Sequence, residues 1–187
     1  MSELEQILES IKSAETASAA KRNWQPARLG SIDIRIASDG DWYHEGRRFQ
    51  RDSMVKLFAS VLRREADDYF LVTPAEKLRI EVEDAAFVAT LVETIDTDDG
   101  AAIVFTTNID ERIILDPDHG LRIEIDQNSG EPRPYVYFRN GLEALIKRSA
   151  FYDLINMARE IERDGGSYLV VTSLGHDFEL GSTDEQT

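Results

Sequence analysis

From Ser31 onward the chain is written mostly in period two, and glycine turn pairs cut it into short pieces. Ile32, Ile34 and Ile36 alternate with Asp33 and Arg35, the pattern of a strand with one buried face. Asp39-Gly40, Glu45-Gly46 and Asp99-Gly100 read as turns, because glycine supplies the positive φ that tight hairpins need. They set off a short strand from Asp41 to His44. Further strands are expected over Tyr69 to Thr73, Leu78 to Glu83, Phe87 to Ile95, Ala101 to Thr107, Arg112 to Leu115, Leu121 to Ile125, Tyr135 to Phe138, Tyr168 to Thr172 and Phe178 to Leu180. Pro74 keeps the turn before Leu78 out of the ladder.

Helical spacing interrupts this text in three places. Asp52 or Ser53 caps a helix whose apolar face is Val55, Phe58 and Leu62 with Leu57 and Val61. Ser149 caps a second, with Phe151, Leu154, Ile155, Ala158 and Ile161 on one face and Gly165-Gly166 as its stop. Leu4, Ile7, Leu8 and Ile11 form an amphipathic stripe near the N-terminus, which packs on its own domain or docks on a partner. The small, polar run Ser13 to Ala20 reads as its fraying end or a linker.

The two halves share a pattern. Ile34-Arg35-Ile36 matches Leu121-Arg122-Ile123, Leu57-Phe58 matches Leu154-Ile155, and Tyr69 to Thr73 matches Tyr168 to Thr172, at separations that grow along the chain. A duplicated sheet-plus-helix unit accounts for this, with residues 32–84 superposable on 121–181; shared strand composition is the alternative. The expected class is α+β, two lobes of mainly antiparallel sheet. The expected boundaries are an N-terminal helix and linker over 1–23, domains over 24–98 and 99–181, and a disordered tail over 182–187.

Composition narrows the function classes. The 187 residues are 42% hydrophobic and 30% charged, with 36 acidic against 21 basic side chains and a net charge of -15. Such a surface repels nucleic-acid backbones and anionic bilayers, so neither is an expected partner. Zero cysteines exclude thiolate zinc sites, iron-sulfur clusters and a cysteine nucleophile. No apolar run approaches the roughly 18 residues of a membrane span, and the acidic start lacks the basic-then-apolar order of a signal peptide. A cytoplasmic protein without cofactor or metal is the expectation.

Two basic islands stand out against the acidic background. Arg47, Arg48, Arg51, Lys56, Arg63 and Arg64 face Asp52 alone, and Arg133, Arg139, Lys147 and Arg148 face Glu143 alone. Together they can form one anion pocket where the domains meet, or they are solvated helix faces and favourable cations at a helix C-terminus. With Glu45-Gly46 as a two-residue turn, His44 pairs with Arg47 and Trp42 with Phe49 on one face. That places an aromatic platform beside cations, as a nucleotide requires, or a Trp-Phe core pair with a polar margin. The candidate ligand-binding residues are therefore Trp42, His44, Arg47, Arg51, Arg139 and Arg148. Ser173, His176 and Asp177 hold triad chemistry but crowd one turn. Asp116, Asp118 and His119 offer metal-type donors within what also reads as a connecting turn. No phosphate-cradling P-loop, dinucleotide fingerprint or HExxH helix occurs.

The blocks "DGDWYHEGRRFQRDSMVKLFASVL", "YFLVTPAEKLRIEVEDAAF" and "EPRPYVYFRNGLEALIKRSAFYDL" resemble, in that order, the bacterial family called domain of unknown function 1285, from about Trp24 to Gly181. At Ala85-Ala86-Phe87 the chain departs from the family's usual proline after an alanine. The resemblance implies a duplicated two-domain core, a second domain similar to pleckstrin-homology folds, and a nucleotide-like ligand between domains in signal transduction. The expected function is non-enzymatic binding or sensing of a small anionic ligand, reported to a protein partner. A hydrolase using carboxylates or histidine, and an interaction scaffold, are the alternatives.

Overall fold

The structure, a computed structural model, describes residues 3–16 and 24–183. It is mostly β-sheet with three helices among the described residues. Two units divide it: Met1–Ala86 with Asn140–Leu142, and Phe87–Arg139 with Glu143–Thr187. The division at 86/87 lies upstream of the 98/99 boundary expected from sequence, and the reason is local. Strands β7 (Phe87–Thr97) and β8 (Gly100–Thr107) form one hairpin, with Thr97 opposite Gly100. A cut at 98/99 would sever its turn.

The first unit begins with α1 (Glu3–Thr16), whose Ile7 and Ile11 are 0% and 1% exposed against the chain's own α2 (Asp52–Ala59). Burying such side chains is worth about 1.5–3 kcal/mol each. The supposed linker beyond Thr16 falls largely on residues 17–23, outside the described residues, as do 184–187 of the supposed tail. Ser182, also assigned to that tail, ends a strand.

Six strands build this unit's sheet: β1 (Arg28–Ile36), β2 (Trp42–His44), β3 (Arg47–Arg48), β4 (Leu62–Glu65), β5 (Asp68–Val72) and β6 (Glu76–Val82). Their order is β3-β2-β1-β6-β5-β4, with β1 and β6 parallel. Alternation gives the sheet two faces. Leu62, Leu71 and Leu78 form one buried row across β4, β5 and β6. Arg63, Phe70 and Arg79 form the next row, on the opposite face.

In the second unit, β9 (Arg112–Ile114), β10 (Leu121–Ile125), β11 (Pro132–Arg139) and β12 (Leu142–Ile146) join β7 and β8 in the order β10-β11-β12-β7-β8-β9. Here β12 and β7 are the parallel pair. Both six-stranded sheets thus run third, second, first, sixth, fifth, fourth in chain order. Helix α3 (Arg148–Asn156) packs on β7, and β13 (Arg159–Arg163), β14 (Gly166–Ser173) and β15 (His176–Ser182) make a separate antiparallel sheet. The expected match of 32–84 to 121–181 therefore holds for element order, three strands, a helix and three strands, but not for sheet pairing. In sheet order the partner of 28–82 is 87–146.

Both long helices of the sequence reading are too long. Helix α2 stops at Ala59, where the Ser60 hydroxyl donates to the Leu57 carbonyl at 2.7 Å; α3 stops at Asn156. The residues assigned to their last turns form β4 and β13. Each of these strands closes a hairpin, through Ala66 at φ 53° and through Asp164-Gly165 at 54° and 80°. A partner strand overrides the helical spacing. The caps also differ: Arg51 and Lys147 occupy the N-cap positions and neither gives a side-chain hydrogen bond. No helix among the described residues is long and apolar enough to cross a membrane.

Candidate anion site

The β2–β3 hairpin turns on Glu45 and Gly46 at φ 49° and 74°, the two positive values a tight hairpin turn needs. His44 consequently lies opposite Arg47, and the Phe49 amide donates to the Trp42 carbonyl at 2.8 Å. The hairpin geometry expected from sequence is present. What it does with Trp42 is less open: the side chain is 2% exposed, stacked on Phe58 at 6.5 Å and 21°, with Phe49 edge-on at 6.4 Å and 75°. Its ring faces are used inside the unit. The indole N–H is buried without a hydrogen-bond partner.

His44 sits at the margin of this cluster, 6.4 Å from Phe49 between ring centres. Arg47, opposite it in the hairpin, and Arg51, at the N-cap position of α2, are both exposed. Their standing is unusual within this protein. Every other described arginine except Arg63 has a carboxylate within ion-pair distance. Acid in large excess neutralises nearly every guanidinium, and this edge of the first unit keeps two free.

Arg139 and Arg148 lie in the second unit, where each is already engaged. Arg139 pairs with Glu111, and its guanidinium is 4.0 Å from the centre of the Phe138 ring. Arg148 contacts Glu131 at 3.2 Å and the Tyr152 hydroxyl; the hydrogen bond to Tyr152 and the charge of Glu131 raise it above the usual arginine range. The hairpin thus unites Trp42, His44 and Arg47, with Arg51 four residues on.

Catalytic and metal alternatives are accounted for locally. Ser173 is wholly buried; its hydroxyl accepts from the Ile103 amide at 2.9 Å and donates to the Leu115 carbonyl at 2.6 Å. Asp177 is held by Thr172 and Arg159, which lower it below the usual carboxylate range. Asp116 accepts from the amides of Asp118 and His119 and bonds the His119 ring at 2.8 Å. Burial pushes Asp116 up, but these bonds together outweigh it and hold the group low. The segment is a turn. No group of three metal-type side chains occurs among the described residues.

Fold and site define a β-rich protein of two units with a small unpaired cationic edge on the first. The chain belongs to the DUF1285 family: "Domain of unknown function (DUF1285), N-terminal domain" matches residues 21–85 and "Protein of unknown function (DUF1285), C-terminal domain" matches 86–180. A DUF1285 family protein from Silicibacter pomeroyi DSS-3 is similar at 37% identity and a TM-score of 0.77, over 93% of this chain and 96% of that one. Another, from Shewanella baltica OS155, is similar at 27% identity and a TM-score of 0.53, over 66% and 90%. No curated protein matches.

Proposed function

We propose that this protein is a non-enzymatic binding protein for a small anionic ligand, and that Arg47 and Arg51 meet the anion. The observation that carries the reading is their lack of carboxylate partners in a chain where the other described arginines, Arg63 apart, are paired. Free guanidiniums offer planar donor forks to phosphate or carboxylate. A nucleotide-like ligand suits the setting, with His44 at the edge of the aromatic cluster as a further contact.

The shared order of the two six-stranded sheets supports duplication, and a signalling role reported to a protein partner follows from the family resemblance together with a ligand-binding reading. A pleckstrin-like second domain belongs to the same proposal. The hydrolase alternative, using carboxylates or histidine, has weaker support, because Asp116 is engaged with His119 and Asp177 with Arg159 and Thr172. A thermal-shift screen against nucleotides and phosphorylated metabolites tests the reading. A ligand at about 100 times its Kd adds roughly 2.7 kcal/mol. A shift that vanishes in an Arg47→Ala, Arg51→Ala double variant supports the site; shifts unaffected by the double variant place it elsewhere.

A further inference from the structure

Arg63 is the third described arginine without a carboxylate, and it differs from Arg47 and Arg51 in depth. Its Nη1 donates to the Trp24 carbonyl at 3.3 Å, while Nη2 is buried with no hydrogen-bond partner. Burial lowers its pKa below the usual arginine range, with the charge of Glu65 opposing. A guanidinium N–H withdrawn from water and left unmatched is destabilising.

The chain has acids nearby that are spent on other cations. Around the β4–β5 turn Glu65 holds Lys77, Asp67 lies 3.7 Å from Arg64, and Asp68 holds Arg79 at 2.5 Å. Arg63 itself stands in the row Arg63, Phe70, Arg79 on the face opposite the Leu62 row. Lys77 caps the Phe70 ring at 4.1 Å. The result is a cation held between the Trp24 backbone and a strand ladder, with the carboxylates of the β4–β5 turn matched to other cations and one buried donor group unused.

We propose that Arg63 anchors a second oxyanion site on this face of the first unit, where Nη2 donates to a carboxylate or phosphate oxygen of a small molecule. The site does not depend on the Arg47 and Arg51 reading. An incoming oxyanion satisfies the orphaned donor, and Phe70 supplies apolar surface beside it.

Thermal melting of the full chain in chloride, in inorganic phosphate and in acetate at equal ionic strength tests this, with wild type compared to Arg63→Met. The wild type is expected to gain about 2 °C or more in at least one oxyanion. A gain with phosphate alone assigns a phosphate-bearing ligand; a gain with both probes assigns the shared oxyanion chemistry. R63M is expected to melt in chloride at the wild-type temperature or above, since it removes an unmatched buried N–H group, and to lose the gain. The same gain in R63M, or no gain in the wild type, overturns the site. So does a loss of more than about 4 °C in R63M in chloride, the mark of a structural arginine. If R63M does not fold, the wild-type chain still decides: Arg63 guanidinium NMR signals must move saturably with phosphate or acetate, and unmoved signals reject the proposal. An Arg47→Ala, Arg51→Ala variant keeps the Arg63-dependent gain, which separates this site from the first.

Discussion

The Arg139 guanidinium lies 4.0 Å from the centre of the Phe138 ring and forms an ion pair with Glu111. Its side chain is 25% exposed, so the pair and the ring contact work in partial shelter from water. Reversing this charge sets two carboxylates against each other and removes the stacking cation. Arg139→Glu is expected to destabilise the protein by about 1–3 kcal/mol. Arg148→Glu, at a side chain 69% exposed, is expected to cost less, because water screens the pair. Urea denaturation of the two variants measures the contrast; equal costs contradict it.

Gly141, in the 140–142 segment grouped with the first unit, combines φ +76° with a close approach: a Cβ there would lie 3.0 Å from the Arg64 carbonyl oxygen. At Gly46, φ is +74° but nothing lies within 4 Å. Both positions penalise an L side chain by roughly 1 kcal/mol or more, and only Gly141 adds a backbone clash. Gly141→Ala should therefore lower Tm more than Gly46→Ala. The order of the two melting temperatures checks this.

Ala66 turns the β4–β5 hairpin at φ 53° and is exposed. Asparagine tolerates that conformation better than alanine. Ala66→Asn is expected to add about 0.5 kcal/mol or somewhat more, read as a higher urea midpoint with unchanged slope. A lower midpoint would show that the turn is set by something other than its backbone preference.

Asp116 has its folded pKa held below the usual carboxylate value, with the hydrogen bonds from His119 and Asp118 outweighing burial. A lowered folded value means that the unfolded chain takes up the proton first as pH falls. The contribution is present above the ordinary value of about 3.9 and is lost as pH falls through the folded value. Asp116→Asn should flatten that part of the Tm profile below about pH 4. An unaltered acid limb would exclude the Asp116 turn as a source of acid sensitivity.

Strands are legible where period two is clean: Ile32, Ile34 and Ile36 alternate because their sheet has a wet side, and Leu121–Ile125 begins and ends as its alternation says although none of its residues is buried. Strands β4 and β13 were not legible, because Leu62 and Ile161 also continue a helical stripe, and only the strand opposite decides between the two. Asp164-Gly165 is a hairpin signal, and the overlapping Gly165-Gly166 pair, which also reads as a helix stop, obscures it. At the candidate site, the sequence contained the hairpin and its register through Glu45-Gly46. It could not contain the ion pairing. Glu111 is 28 residues from Arg139, so a local charge window leaves Arg139 looking as free as Arg47, and nothing around Arg63 in the sequence signals that one of its nitrogens is buried without a partner.

Anion binding is proposed to rest on Arg47 and Arg51. The most direct measurement is calorimetric titration of the strongest nucleotide or phosphorylated metabolite from the thermal screen into the wild type and an Arg47→Glu, Arg51→Glu variant, with far-ultraviolet circular dichroism as the folding control. The variant is expected to fold as the wild type does and to bind at least tenfold more weakly, roughly 1.4 kcal/mol. Unchanged affinity in a folded variant would contradict it.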